Sequence, residues 1–213
     1  MPETTTTGQW FTARDGHAWF FDAGATALDF AYTGAMGDNP EWEQLHSADE
    51  LGAWLAARFP GVETGERDLV DAKALRAAIA GALDAAGSAR PVEAADVDVI
   101  NLFAATPDIP PALPGGTRQA GRTRARAGQA LSALAREAVT VFGAESLERI
   151  RRCADPTCGL TFFDESRSNN RRWCSMQRCG NRAKVRAHRA KTTATPPPRT
   201  TPPAAPHPST TNR

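Results

Sequence analysis

Four cysteines, Cys153, Cys158, Cys174 and Cys179, fall within 27 consecutive positions, and the 213-residue chain contains no others. They form two C-x4-C pairs separated by fifteen residues. Two close pairs of soft thiolates suit one tetrahedral zinc ion, because each pair closes a short turn on the metal and the segment between them brings the pairs together. The alternative, two disulfides in any of three connectivities, needs an oxidising compartment. The segment Met1 to Gln9 is polar and threonine-rich, without the basic start and apolar stretch of a secretory signal, and no run of about 18 apolar residues occurs. The expectation is a soluble, cytosolic chain with no membrane contact, whose reduced thiols hold one structural zinc. Four thiolates leave no open coordination position, so no catalytic zinc is expected.

Charge is split along the chain. The formal net charge is +1, yet residues 1–117 carry 6 basic and 18 acidic side chains, whereas residues 151–191 carry 11 basic and 3 acidic ones. The cysteine region is thus +8 as a bare sequence. Four thiolates against one divalent ion add about −2, so its positive field survives metal binding. A field of this size on so small a unit favours a polyanion as partner, because counterion release makes such clusters effective phosphate binders. The split also suggests that the acidic part docks on the basic part and holds it shut.

Periodicity describes what precedes the cysteines. Trp10 to Thr33 is aromatic and interrupted by Gly16 and Gly24, consistent with a short strand or a helix start. Ser47 and Glu50 make a capping box ahead of Leu51, Trp54, Leu55 and Phe59 at helical spacing, with Pro60 and Gly61 as the stop. Helices are predicted over 66–86, with Gly87 as terminator, over 93–105 and over 125–142, and the Pro- and Gly-rich stretch 107–116 cannot be helical. The domains expected are a disordered terminus at 1–9, a mainly helical domain at 10–146, a zinc finger at 147–191, and a disordered Thr- and Pro-rich tail at 192–213. The fold class expected is mainly α, with a treble-clef-like or ribbon-like finger.

Within the finger, Leu160 to Phe163 has strand character, Ser166 to Asn170 has turn chemistry, Arg171 to Cys174 is read as a returning strand, and 180–191 as a helix. About forty residues cannot bury enough apolar surface to fold alone, so the metal is expected to supply much of the folding free energy. On the helix, Arg182, Arg186 and Arg189 form one row and Lys184, His188 and Lys191 a second, flanking Ala183, Ala187 and Ala190. His188 is read as a surface residue rather than a ligand.

The stretches RRWCS at Arg171 to Ser175 and CGNRAK at Cys179 to Lys184 resemble the CGNR zinc-finger family, whose members join this finger to an N-terminal ABATE domain and are described as stress-induced bacterial transcription regulators. ALDF at Ala27 to Phe30 and the Ser47 to Phe59 helix resemble the ABATE features, so the resemblance spans roughly Trp10 to Lys191. It implies zinc ligation by Cys153, Cys158, Cys174 and Cys179, and places the family motif on Cys179, Gly180, Asn181 and Arg182. The chain departs from the family pattern in having Ala25, Thr26 and Tyr32 where relatives have His, Pro and Asn.

Together these readings lead to a DNA-binding transcriptional regulator, with Arg171, Arg172, Arg178, Asn181, Arg182, Lys184, Arg186 and Arg189 as nucleic-acid contacts. The N-terminal domain is expected to sense an unidentified ligand or to form a homo-oligomer. The alternatives are an RNA-binding finger, with Trp173 stacking on a base, and a protein-interaction adaptor that grips an acidic partner. An enzyme is not expected: His17 and His46 stand alone, and neither a nucleophile motif nor a phosphate-binding glycine loop is present.

Overall fold

A computed structural model of the chain describes residues 7–12, 16, 18–34, 42–59, 61–111 and 125–193. Among these residues, six α-helices and two small antiparallel sheets follow one another. An N-terminal hairpin pairs β1 (Gln9–Thr12) with β2 (Ala18–Phe21) in the register Phe11 to Trp19. Alternation puts Phe11, Trp19 and Phe21 on the buried face, with the Phe11 and Trp19 rings stacked at 5.4 Å, while Trp10 lies exposed against Phe20. The aromatic stretch therefore supplies both a hairpin and, directly after it, helix α1 (Thr26–Ala31).

All six residues of α1 are buried, which makes it the centre of the N-terminal domain. Its first amides are met by Glu137 of a later helix: Thr26 N–H and Ala27 N–H donate to the carboxylate at 3.2 and 2.6 Å. That satisfies donors which every helix start leaves unpaired, and places a negative group at the positive end of the helix. Around α1 pack α2 (Ala48–Ala56), α3 (Glu66–Gly87), α4 (Ala94–Ala104) and α5 (Ala127–Phe142). The Ser47 and Glu50 capping box is formed as read, with Leu51, Trp54 and Leu55 inward. Helix α2 stops at Ala56, short of Phe59. Leu75, Ile79 and Leu83 of α3 and Leu131, Leu134 and Ala138 of α5 fill the core as their spacing implies.

Several boundaries differ from the sequence reading. Gln9 belongs to β1 and its side chain donates to the Asp29 carbonyl at 2.7 Å, so ordered chain begins before Trp10; residues 1–6 lie outside the described residues. Gly87 does not end α3 but forms its last helical residue, and Ala89 takes the left-handed conformation instead, with φ of 53°. Glycine is needed at 87 for another reason: a Cβ there would lie 2.5 Å from Thr161 Oγ1. The 107–116 stretch is non-helical as far as residue 111, and the rest of it lies outside the described residues. Helix α6 (Asn181–Thr193) runs two residues into the segment read as tail, and 194–213 lie outside the described residues.

The finger follows α5 through a single 3-10 turn (Leu147–Arg149) and consists of β3 (Ile150–Arg152), β4 (Thr161–Phe163), a π-helical turn (Met176–Gly180) and α6. The expected return of Arg171 to Cys174 as the partner of β4 is not what forms. Strand β4 pairs instead with β3, upstream of the first cysteine pair, in the register Arg151 to Phe162. Residues 171–173 are held outside any strand ladder: the Arg171 amide donates to Asp164, the Arg172 carbonyl accepts from the Ala154 amide, and the Arg171 side chain donates to the Trp173 carbonyl. No described helix is long and apolar enough to cross a membrane.

Finger and helical domain share one core. Phe162, Leu160, Cys153, Cys174 and Cys179 are buried in the same apolar cluster as α1, α3 and α5. The junction is closed by hydrogen bonds: Phe163 N–H donates to the Ala23 carbonyl at 2.8 Å, and the Tyr32 hydroxyl bonds to Thr161. At Gly24, where φ is 83°, a Cβ would sit 2.1 Å from the Phe163 carbonyl oxygen, so only glycine admits the finger there. Among the described residues, the acidic domain and the finger dock through apolar and backbone contacts and through arginines of the finger that reach the Asp22 carbonyl and the Trp19 ring.

Candidate metal centre and its basic helix

The β3–β4 hairpin carries the first cysteine pair in its loop. Cys153 N–H donates to the Leu160 carbonyl at 2.8 Å, Cys158 N–H to the Asp155 carbonyl at 3.0 Å, and Gly159 takes φ of 73° to turn the chain back into β4. The second pair is set by a helix start. Ser175 accepts from Arg178 N–H through its hydroxyl, its carbonyl accepts from Cys179 and Gly180, and Cys179 is thereby fixed just before α6. A hairpin knuckle followed by ligands at a helix N-terminus is the treble-clef-like arrangement, and it decides between the two finger types expected.

The four sulfurs meet. All four Sγ atoms lie within 4.8 Å of one another, with Cys158 to Cys174 at 3.4 Å and Cys174 to Cys179 at 3.5 Å. Tetrahedral zinc with Zn–S near 2.3 Å requires S to S edges of about 3.8 Å, so the set is of the right size for one ion. The amide of Cys174 donates to Cys153 Sγ at 3.5 Å, as a thiolate acceptor invites. Three of the four cysteines are buried, and as thiols they obstruct one another. Hydrogen bonding with Cys158 and burial push Cys174 up, burial pushes Cys179 up to about 11, and the hydrogen bond from Cys174 lowers Cys158 to about 5. Thiolates packed this closely repel one another, and a divalent cation is the group that lets all four ionise. The four cysteines are positioned to bind one metal ion and fit a structural Zn2+; His188 lies exposed on α6, outside the group.

Around the sulfurs lies a second layer. Arg182 Nη2 donates to Cys179 Sγ at 3.2 Å and stands 3.2 Å from Asp155 Oδ2, while Arg186 Nη2 stands 3.3 Å from Asp155 Oδ1. The Arg182 to Asp155 approach is an ion pair without hydrogen-bond alignment, since Oδ2 has no hydrogen-bond donor. Asp155 itself is buried and accepts from the Thr157 amide and hydroxyl at 3.1 and 2.9 Å. Burial opposes its ionisation, but these bonds and the two guanidinium groups outweigh it and hold the carboxyl at about 2.

The eight residues read as nucleic-acid contacts divide into two groups. Arg171 is a brace: it donates to the carbonyls of Asp22, Trp173 and Cys174 and stacks over the Phe162 ring at 4.2 Å. Arg178 lies over the Trp19 ring at 4.3 Å, and the Asn181 side chain donates to the Gln177 carbonyl. Arg182 and Arg186 turn to Asp155. Arg172, Lys184 and Lys191 are exposed and make none of these braces, while Arg189 lies in the row of Arg182 and Arg186; residues 181–192 of α6 are all exposed except Ala183. Lys184 is two residues on from Arg182, about 200° around the helix, so the row of Lys184, His188 and Lys191 points away from the knuckle. Trp173, named as a base-stacking candidate, is half-buried against the core with Arg172 over it at 5.1 Å. Sequence reasoning missed Asp155 altogether; the signal available was the D-P-T turn between the first two cysteines.

In the helical domain an open cleft of about 570 Å³ lies between α3, α4 and α5, lined by Asp71, Phe103, Arg126 and Gln129 among others. His46 is exposed and pairs with Glu50 at 3.1 Å, and His17 lies outside the described residues.

Comparison with known families gives two matches. Residues 24–145 match the ABATE family, described as "Putative stress-induced transcription regulator", and residues 149–192 match the CGNR zinc finger. No curated protein matches the chain.

Proposed function

Because the chain belongs to the ABATE family and carries a CGNR zinc finger at residues 149–192, we propose that it is a zinc-dependent DNA-binding regulator that acts in the cytosol at the nucleoid. The observation that carries this reading is α6: a helix whose Lys184, His188 and Lys191 row faces solvent, away from the metal centre, on a finger that remains positive with zinc bound. A helix of this width fits the major groove, and basic side chains on its outer face and flanks neutralise phosphates. Arg172, Lys184 and Lys191 are the contacts proposed. Half-burial of Trp173 argues against base stacking and so against a single-stranded RNA target. The cleft between α3, α4 and α5 is the proposed ligand site of the helical domain.

Selection of bound oligonucleotides from a random duplex pool by zinc-loaded full-length protein tests the reading, with Cys174→Ser as control. Enrichment that disappears in the control supports it. Equal recovery with both proteins, or none, refutes it. Capture of an acidic protein partner that survives nuclease treatment, with no enrichment, would favour the adaptor instead.

A further inference from the structure

Arg182, the last residue of the motif C-G-N-R, makes its polar contacts at the metal centre. Its guanidinium donates to Cys179 Sγ at 3.2 Å and pairs at 3.2 Å with Asp155, which lies in the loop of the other cysteine pair. Asp155 is fully buried, takes two bonds from Thr157, and holds Arg186 on its second oxygen at 3.3 Å. One carboxylate between Cys153 and Cys158 thus ties down two successive turns of the helix that begins just after Cys179.

We propose that Arg182 and Asp155 are positioning residues of the zinc centre and of α6, and that Arg182 is not a nucleic-acid contact. Two physical consequences support this. A guanidinium donor beside Cys179 compensates part of the net negative charge of a four-thiolate zinc site, which no ligand can do for itself. The Arg182–Asp155–Arg186 clamp also fixes the direction of α6 relative to the knuckle. Arg182 and Arg186 stay 42% and 48% exposed but direct their guanidinium groups to Asp155, and the row of Lys184, His188 and Lys191 lies on the other side of the helix.

The test separates the two roles. Zinc affinity is measured by competition with a chromophoric chelator on the full chain, and duplex binding is measured as a function of salt on the zinc-loaded protein. Arg182→Gln is expected to weaken zinc retention by about 10- to 100-fold, with Arg182→Lys recovering part of it, and to leave the salt slope unchanged. Lys184→Gln is expected to leave zinc affinity unchanged and to make the slope shallower by about 0.9. Asp155→Asn, which keeps the shape of the side chain but frees both arginines, is expected to weaken zinc retention and to steepen the slope. The proposal is overturned if Arg182→Gln keeps wild-type zinc affinity, or if its slope falls as that of Lys184→Gln does. The slope arm rests on the DNA-binding function proposed above. The zinc arm does not, so absence of duplex binding by the wild type would sink that function and leave zinc affinity to decide this inference.

Discussion

The Tyr32 hydroxyl donates to the Thr161 carbonyl at 2.8 Å and accepts from the Thr161 amide at 2.9 Å, so one side chain at the end of α1 completes the backbone pairing of β4. Both partners are buried. Tyr32→Phe leaves a donor and an acceptor without partners, and is expected to cost about 2 kcal/mol in denaturant unfolding of the zinc-loaded chain. An unchanged midpoint would mean that the junction does not depend on this pair.

At Gly24 the same junction is guarded by sterics. Its φ of 83°, and a Phe163 carbonyl oxygen only 2.1 Å from where a Cβ would lie, leave no room for alanine. Gly24→Ala should destabilise the chain by at least about 1 kcal/mol, and should increase amide exchange in β3 and β4 first. Exchange that rises only in α2 or α4 would contradict the assigned contact.

Metal removal should not be confined to the finger, because Cys153, Cys174 and Cys179 are part of the core that α1, α3 and α5 share. Chelation is expected to lower the thermal midpoint of the whole chain and to leave one cooperative transition, since metal binding free energy is folding free energy here. A helical domain melting at the same temperature with and without zinc would show two independent units.

Asp29 gives a pH prediction away from the cysteines. Burial raises its carboxyl to about 6, against the bonds it accepts from the Gly8 and Ala23 amides, with Asp22 raising it further and Arg58 lowering it. A carboxyl whose folded value is raised holds its proton more tightly in the fold. Its contribution is therefore fully present below about pH 4 and is lost as pH rises through about 6, a loss of up to about 3 kcal/mol. Zinc release at acid pH affects wild type and Asp29→Asn alike, so the difference between them is the observable. Between pH 4 and pH 7 the stability of wild type relative to Asp29→Asn should fall; a constant difference would refute the shift.

The metal site and the helical periods were legible in the sequence because each is written in local spacing: two C-x4-C pairs, the Ser47 and Glu50 box, and Leu75, Ile79 and Leu83 four apart. The partner of β4 was not, because Ile150 to Arg152 is three residues long and carries two arginines, which gives no alternation to read. The roles of the arginines were hidden for another reason. Charge counting assigns every guanidinium the same value, whereas burial of Asp155, and the carbonyls of Asp22 and Cys174 within reach of Arg171, decide which ones brace the fold. Gly87 looked like a helix stop because only its neighbours in sequence were visible, while the residue that requires it, Thr161, is 74 positions away.

The most direct test of the whole account is the salt dependence of duplex DNA binding by zinc-loaded full-length protein. Roughly three phosphate contacts, from Arg172, Lys184 and Lys191, predict a slope of log K against log salt of about −3, lost when Cys174→Ser removes the metal site. Binding that does not change with salt, or no binding at low salt with zinc fully loaded, would contradict it.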